Sequence, residues 1–446
     1  MKKYLISTLP VLFVFLFAST LFAQTVTDDP QEQAALEALL KDAELSWDDI
    51  DFTENIMTNG EKNGHTLVYI KNNKSDSWTI NRMARNNIYL NDKGKIIAIK
   101  LYDIKIPNLS RINQLKSLIF FSCNSCYIDK FDHVQDLPEL EELQIPYTGI
   151  EEIGQLKNLP KLKFLDLSRN GIKKIQNLNN IPSLKELIMK GVGINKLEGL
   201  ENLPNLEVLN ITDSGEGEQC IRKLEGLNNL KKLKVLELYF QGIEKLEGLE
   251  NLTQLEEIHL AESKIKKIEG LDNLRQLKIL GLTRNRITKI ENMDNLTQLE
   301  TLYLDGNPIK KIENLDALTR LERLYLYSTD ISKIEGLDNL KSLKYLDLSF
   351  THITKIEGLE NLKKLRDLNL GHTKIRQLEG LDSLTQLYRL HINDTPIESF
   401  DNYERLINLS SVLPFNTPNL DEKEIIKIDK FTKQNRMRRI HEKQKH

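Results

Sequence analysis

Cysteine is almost missing from this chain. Three residues in 446 are Cys, at 123, 126 and 220, which excludes a small scaffold held by a disulfide framework. Charge of one sign is also missing. The net charge is −3, and acidic and basic residues alternate closely, as in KKIEGLDNL (266–274). No large field results, so composition points to neither nucleic acid nor a membrane surface as partner. The chain has no Gly-rich phosphate loop, no GxSxG and no HExxH. An enzyme is therefore not expected, nor a cofactor. His259, His372 and His391 stand isolated, so no metal site is expected either. After residue 23 no apolar run is long enough to span a bilayer.

A repeat is present instead. From 233 to 408 one 22-residue unit recurs eight times, beginning at Leu233, Leu255, Leu277, Leu299, Leu321, Leu343, Leu365 and Leu387. Within LxxLxL, alternate residues face inward, the period of a strand. A polar position follows (Asn285, Asn307, Thr351, Thr373), suited to a turn in which a short side chain bonds backbone. Two apolar positions come next, such as Ile353 and Ile356. Then comes Gly358, replaced by Asn292 and Asn314 in two copies. Gly and Asn share tolerance of the left-handed conformation. Leu359 and Leu362 complete the unit in a helical or 3₁₀ return. One copy cannot enclose its seven apolar positions, but a stack can. Earlier regular copies start at Leu140, Leu162, Leu184 and Leu206. The last is 27 residues long, with its insertion in DSGEGEQC (213–220). The stack is expected to start near Ile96, with an irregular copy at Leu115 that includes Leu118 and Phe120.

The flanks differ. Residues 1–23 place Lys2 and Lys3 before the apolar run Leu9–Phe17 and end in Leu21-Phe22-Ala23. This reads as a secretory signal peptide cleaved after Ala23. The alternative, an uncleaved anchor, is disfavoured by interruptions at Ser7, Thr8, Pro10, Ser19 and Thr20. Residues 24–95 hold a helical segment over 31–45, with Ala35, Leu36, Leu39 and Leu40 on one face. They also hold strands at Leu67–Ile70 and Ile88–Leu90. A turn at Asp92-Lys93-Gly94 pairs the second of these with Ile96–Leu101 as a capping hairpin. The repeats are expected to run over 96–413, with Val412 to Phe415 closing the last turn. Residues 414–446 read as a helix with an apolar strip (Ile425, Ile426, Ile428, Phe431) and a basic, solvated tail. Cys123 and Cys126 form a CxxC that lacks the context of a redox or zinc site. A structural role or a local disulfide is expected, with Cys123 at the polar turn position of its copy.

Side chains two, four and six places after each initial Leu leave the core on the strand side and form columns on a concave face. The columns bring together Tyr239, Tyr303, Asp305, Arg323, Tyr325, Tyr327, Tyr345, Asp347 and Asp367. Tyr and Arg anchor protein interfaces because they bury much area and still form hydrogen bonds. Cross-strand tyrosine pairs can also serve only the sheet.

These repeats resemble the leucine-rich-repeat superfamily, in its 22-residue class of bacterial internalin-like secreted proteins. The resemblance implies an α/β leucine-rich-repeat solenoid: a curved body with a parallel β-sheet on the concave face and 3₁₀ or short helices on the convex face. It also implies a secreted or cell-surface monomer that binds a partner protein, a host-cell surface protein being one case, with a role in virulence. No nucleic acid and no stable membrane insertion after signal cleavage are implied. A periplasmic scaffold or glycan receptor is the alternative. The chain departs from the internalins in showing no LPxTG motif and no evident Ig-like segment after the repeats.

Overall fold

The structure is a computed structural model. It describes residues 30–42, 50–51, 66–70, 86–90, 95–131, 133–212, 220–399 and 405–443. The signal-peptide reading at 1–23, the turn at 92–94 and the insertion at 213–219 lie outside the described residues. The chain divides into two compact units, residues 1–194 with 198–206, and residues 195–197 with 207–446.

In the first unit, helix α1 (Pro30–Asp42) buries Ala35, Leu36 and Leu39. It packs on Lys105–Asn108 and on a 3₁₀ helix at Leu109–Gln114. Strand Asn86–Leu90 pairs antiparallel with Ile96–Tyr102. From there pairing becomes parallel, through Phe120–Asn124, Glu142–Gln144, Phe164–Asp166 and Glu186–Ile188. Ile96, Ile99 and Leu101 are buried at the first repeat positions.

The next copy begins at Leu118, not Leu115. Phe121 pairs with Ile99 and is fully buried, whereas Phe120 is half-exposed. The segment LKSLIFF offers two frames, and the one that buries the larger ring and keeps the 22-residue spacing to Leu140 prevails. This corrects the placement of the cysteines. Cys123 takes a core position, equivalent to Ile145 and Leu167, and Cys126 takes the polar turn position. The two are joined by a disulfide, with Cα atoms 5.8 Å apart.

In the second unit, ten strands from Val208–Asn210 to Ser411–Leu413 pair in parallel, each three residues long and in unbroken register. The apolar positions of one copy, Leu299, Leu302, Leu304, Ile309, Ile312, Leu315 and Leu318, are at most 1% exposed. Each contributes roughly 1.5–3 kcal/mol by leaving water. The return side consists of successive three-residue turns, for example Leu296 N–H to Met293 O and Leu299 N–H to Leu296 O, both 3.0 Å. These are bonds of 3₁₀ type. Leu413 and Phe415 do not close the last turn as expected but project outward, 45% and 81% exposed. A further turn runs on to Thr417 and Leu420, both buried.

Two polar positions knit the copies together. Asn307 donates to Leu282 O and Leu304 O at 2.9 Å, and its Oδ1 accepts from Ile287 N–H at 3.0 Å. Asn285 repeats the arrangement one copy earlier. At Thr351, by contrast, the hydroxyl closes only its own turn, onto Leu348 O at 2.7 Å. The Gly/Asn position has a left-handed backbone, φ +67° at Gly336 and +57° at Asn292 and Asn314. A Cβ on Gly336 would stand 2.4 Å from Ile312 O. In the Asn copies the amide donates to the equivalent carbonyl, at 2.7 Å for both Asn292 to Ile268 and Asn314 to Ile290. Gly336→Ala is thus expected to cost about 2 kcal/mol or more in urea unfolding, from left-handed strain and the clash. Gly336→Asn should cost less than half as much. Equal costs would contradict this account of the position.

Helix α2 (Glu422–Lys443) folds onto the last turn. Its buried stripe is Ile428, Thr432 and Asn435, spaced i, i+4, i+7. Of the expected strip, Ile425 and Ile426 are 39% and 61% exposed and Phe431 is half-buried. The basic stretch, expected to be a solvated tail, is exposed over most of its described residues, yet three of its side chains bond the stack. Inside the stack, Glu322 O and Tyr388 O each accept two backbone N–H groups from the next copy. At the equivalent Ser410 O no copy follows, and Arg436 Nε donates there at 2.5 Å. Asn435 reaches Leu409 O at 2.9 Å and Arg438 reaches Ile407 O at 3.3 Å. Side chains of α2 thereby satisfy backbone groups at the end of the stack.

Candidate functional site

Parallel register turns the repeat into columns. The four-after column runs His259, Gly281, Tyr303, Tyr325, Asp347, Asn369, His391, and the two-after column runs Thr301, Arg323, Tyr345, Asp367, Arg389. Strands stand about 4.8 Å apart, a spacing at which aromatic rings on neighbouring strands stack. Tyr303 and Tyr325 do so with centroids 4.4 Å apart and planes at 19°. Tyr345, one strand further and in the next column, leans to 4.7 Å from Tyr325 at 35°. Three tyrosines therefore form one continuous ladder, each ring half-buried. Burial pushes three tyrosine hydroxyls of this face up: Tyr239 to about 12, with Glu237 adding to it; Tyr325, helped by Tyr303; and Tyr345, helped by Asp347. They act as neutral donors at any ordinary pH.

The other expected residues fall into different places. Arg323 is exposed beside the ladder. Tyr327 is half-buried in the six-after column. Asp367 pairs with Arg389 at 3.2 Å. Tyr239 lies against His259, 5.8 Å between centroids, with two strands between it and the Tyr303 strand. It is not part of the ladder's stacked rings.

The two remaining aspartates are not open contact groups. Asp347 is 7% exposed. It accepts from Ser349 N–H at 3.0 Å, Ser349 Oγ at 2.6 Å, Asn369 Nδ2 at 3.0 Å and Tyr345 OH at 3.2 Å. Its carboxylate closes the strand exit and fixes the Tyr345 ring. Asp305 is 3% exposed. Its Oδ2 accepts from Thr283 Oγ1 at 2.9 Å, while among the described residues no group hydrogen-bonds Oδ1. Burial pushes its carboxyl up to about 6, the Asp347 charge adds to the rise, and the Thr283 bond opposes it. Backbone hydrogen bonds at Asp305 and Tyr327 oppose the rise as well, and burial outweighs them, so a desolvated carboxylate sits beside the tyrosine face.

The next position in each copy carried no signal as a column. Phe240, Glu262, Arg284, Ser328, Phe350, His372 and Asp394 all have left-handed backbone, φ between +51° and +59°. This bend sends their side chains off the edge of the sheet. Phe350 stacks on His372 at 3.8 Å, and His372 pairs with Asp394 at 3.2 Å. Bulky residues at a left-handed position are uncommon, and a strict 22-residue count would have exposed the column. Among the described residues no group of three His, Cys, Asp or Glu could hold a metal ion.

A family model described as leucine-rich repeats (two copies) matches residues 138–180, 275–317, 297–339, 319–361 and 341–383. No curated protein matches the chain by sequence. Among solved structures, an internalin from Listeria monocytogenes is 22% identical with a TM-score of 0.57, over 72% of this chain and 90% of its own. The functional domain of InlJ from the same organism is 20% identical with a TM-score of 0.54, over 71% and 72%. A leucine-rich-repeat protein of Leptospira interrogans gives 19%, a TM-score of 0.48, and 74% and 88%. The chain carries leucine-rich repeats and folds as a leucine-rich-repeat solenoid similar to the internalins.

Proposed function

We propose that this is an exported bacterial protein-binding module that engages its partner through the strand face around Tyr303, Tyr325 and Tyr345. One observation carries the reading: three stacked tyrosines run unbroken over three neighbouring strands, with Arg323 exposed beside them. Half-buried rings offer large contact area at small entropic cost, as interface anchors do. The rings occupy one another's faces, which favours the edges and hydroxyls as contact groups and disfavours stacking of a sugar. The fold is one that suits protein–protein interaction, and its likeness to the internalins supports a partner outside the cell, such as a host surface protein. Export rests on the sequence of residues 1–23, and a mature chain beginning at Gln24 by mass spectrometry is its test.

Tyr303→Ala combined with Tyr325→Ala is expected to lower partner capture from host-cell extract at least tenfold, with the melting temperature lowered by no more than a few degrees. Equal loss of binding and of folding would mean that the ladder serves only the sheet.

A further inference from the structure

Along the one-after column, basic residues pair with an acid one copy back. Lys163 meets Glu141 at 2.9 Å, Lys278 meets Glu256 at 2.5 Å and Lys344 meets Glu322 at 2.5 Å. At Arg366, as at Lys185, no acid stands one copy back. The residue one copy back is Lys344, already paired, and the residue one copy on is Tyr388. Among the described residues Arg366 forms no ion pair. Its side chain lines a cavity of about 310 Å³ with Arg389 and Arg439. Arg439 is brought there by α2 and lies over the Tyr388 ring at 4.8 Å, with Arg389 over the same ring at 5.5 Å. Three arginines thus line one cavity, two of them with their guanidinium groups over the same ring. The one carboxylate lining it, Asp367, is held by Arg389 at 3.2 Å. The excess is two positive charges.

We propose that this cavity binds a sulfate or phosphate ester. Guanidinium groups present parallel N–H pairs that match the oxygens of such groups. The amides of Gln386 and Asn408 line the same cavity and can bond the body that carries the ester. The volume lies at the small end of ligand pockets and suits a sugar-sized ligand. The site needs α2 in place, because Arg439 belongs to it.

Titration calorimetry at low salt with glucose 6-sulfate, glucose 6-phosphate and glucose tests this. At least one ester should bind, weakening as salt rises, and glucose should not. The ester that binds more tightly identifies the group. Arg366→Gln should weaken that binding tenfold or more, and Arg366→Lys should restore part of it. Arg366 is exposed and forms no ion pair among the described residues, so its variants should melt with the parent protein. The proposal is overturned if neither ester binds, if glucose binds as well as the esters, or if Arg366→Gln binds like the parent.

Discussion

Asp305→Asn is expected to stabilise the protein at pH 7 by about 2–3 kcal/mol, a gain obtained by removing a charge. The carboxyl is 3% exposed, and burial raises it from 3.8 to about 6. Each tenfold weakening of an acid corresponds to about 1.4 kcal/mol between its two protonation states. The sign follows from proton binding. Below about pH 4 the group is protonated in both folded and unfolded chains and adds no pH dependence. Between pH 4 and 6 the unfolded chain releases its proton while the folded chain keeps it, so stability falls as pH rises. Above pH 6 the folded carboxylate is ionised and the full cost remains. Asn mimics the protonated acid, so the gap between variant and parent should be small at pH 4, grow through pH 6 and then level off. A gap that is constant with pH, or a variant less stable than the parent at pH 7, would show that Asp305 is satisfied in the folded state.

Asn307→Ala should have the opposite effect, a loss of about 3 kcal/mol or more. The side chain is 1% exposed and links two copies. Its removal orphans Leu304 O and Ile287 N–H, at about 1–3 kcal/mol per orphaned group, while Leu282 O keeps its bond from Asn285 at 3.0 Å. Relaxation of the turn recovers part of that sum. Thr351→Ala breaks only the bond to Leu348 O and should cost about 1 kcal/mol. Because each copy contacts mainly its neighbours, hydrogen exchange in the Asn307 variant should quicken first over residues 277–320. A small, uniformly spread loss would contradict a cross-repeat role.

Much of this could be read before the fold was seen. A period of 22 with inward leucines fixes the strand register, and register alone predicts that Tyr303, Tyr325 and Tyr345 are neighbours. The exchange of Gly336 for Asn292 or Asn314 likewise reveals a left-handed backbone, since those residues share that tolerance. Depth was harder. Asp305 and Asp347 occupy outward positions in the alternation yet are buried, Asp347 among Tyr345, Ser349 and Asn369 and Asp305 against Thr283. Phe120 and Phe121 are adjacent and equally apolar, so the frame there is decided by packing against Ile99. The stripe on α2 escapes a search for apolar residues, because Thr432 turns its hydroxyl back onto Asp429 O of its own helix and Asn435 bonds Leu409 O at the end of the stack.

The central claim, that the strand face around Tyr325 meets the partner, is tested most directly by site-specific photocrosslinking. Benzoylphenylalanine would replace Tyr325 in one variant and Asp272, exposed on the return side, in another, each irradiated with host-cell extract. The account predicts a discrete crosslinked protein from position 325, competed away by excess parent protein and not by the Tyr303→Ala, Tyr325→Ala variant. Discrete crosslinks from position 272 alone, or equal competition by the double variant, would contradict it.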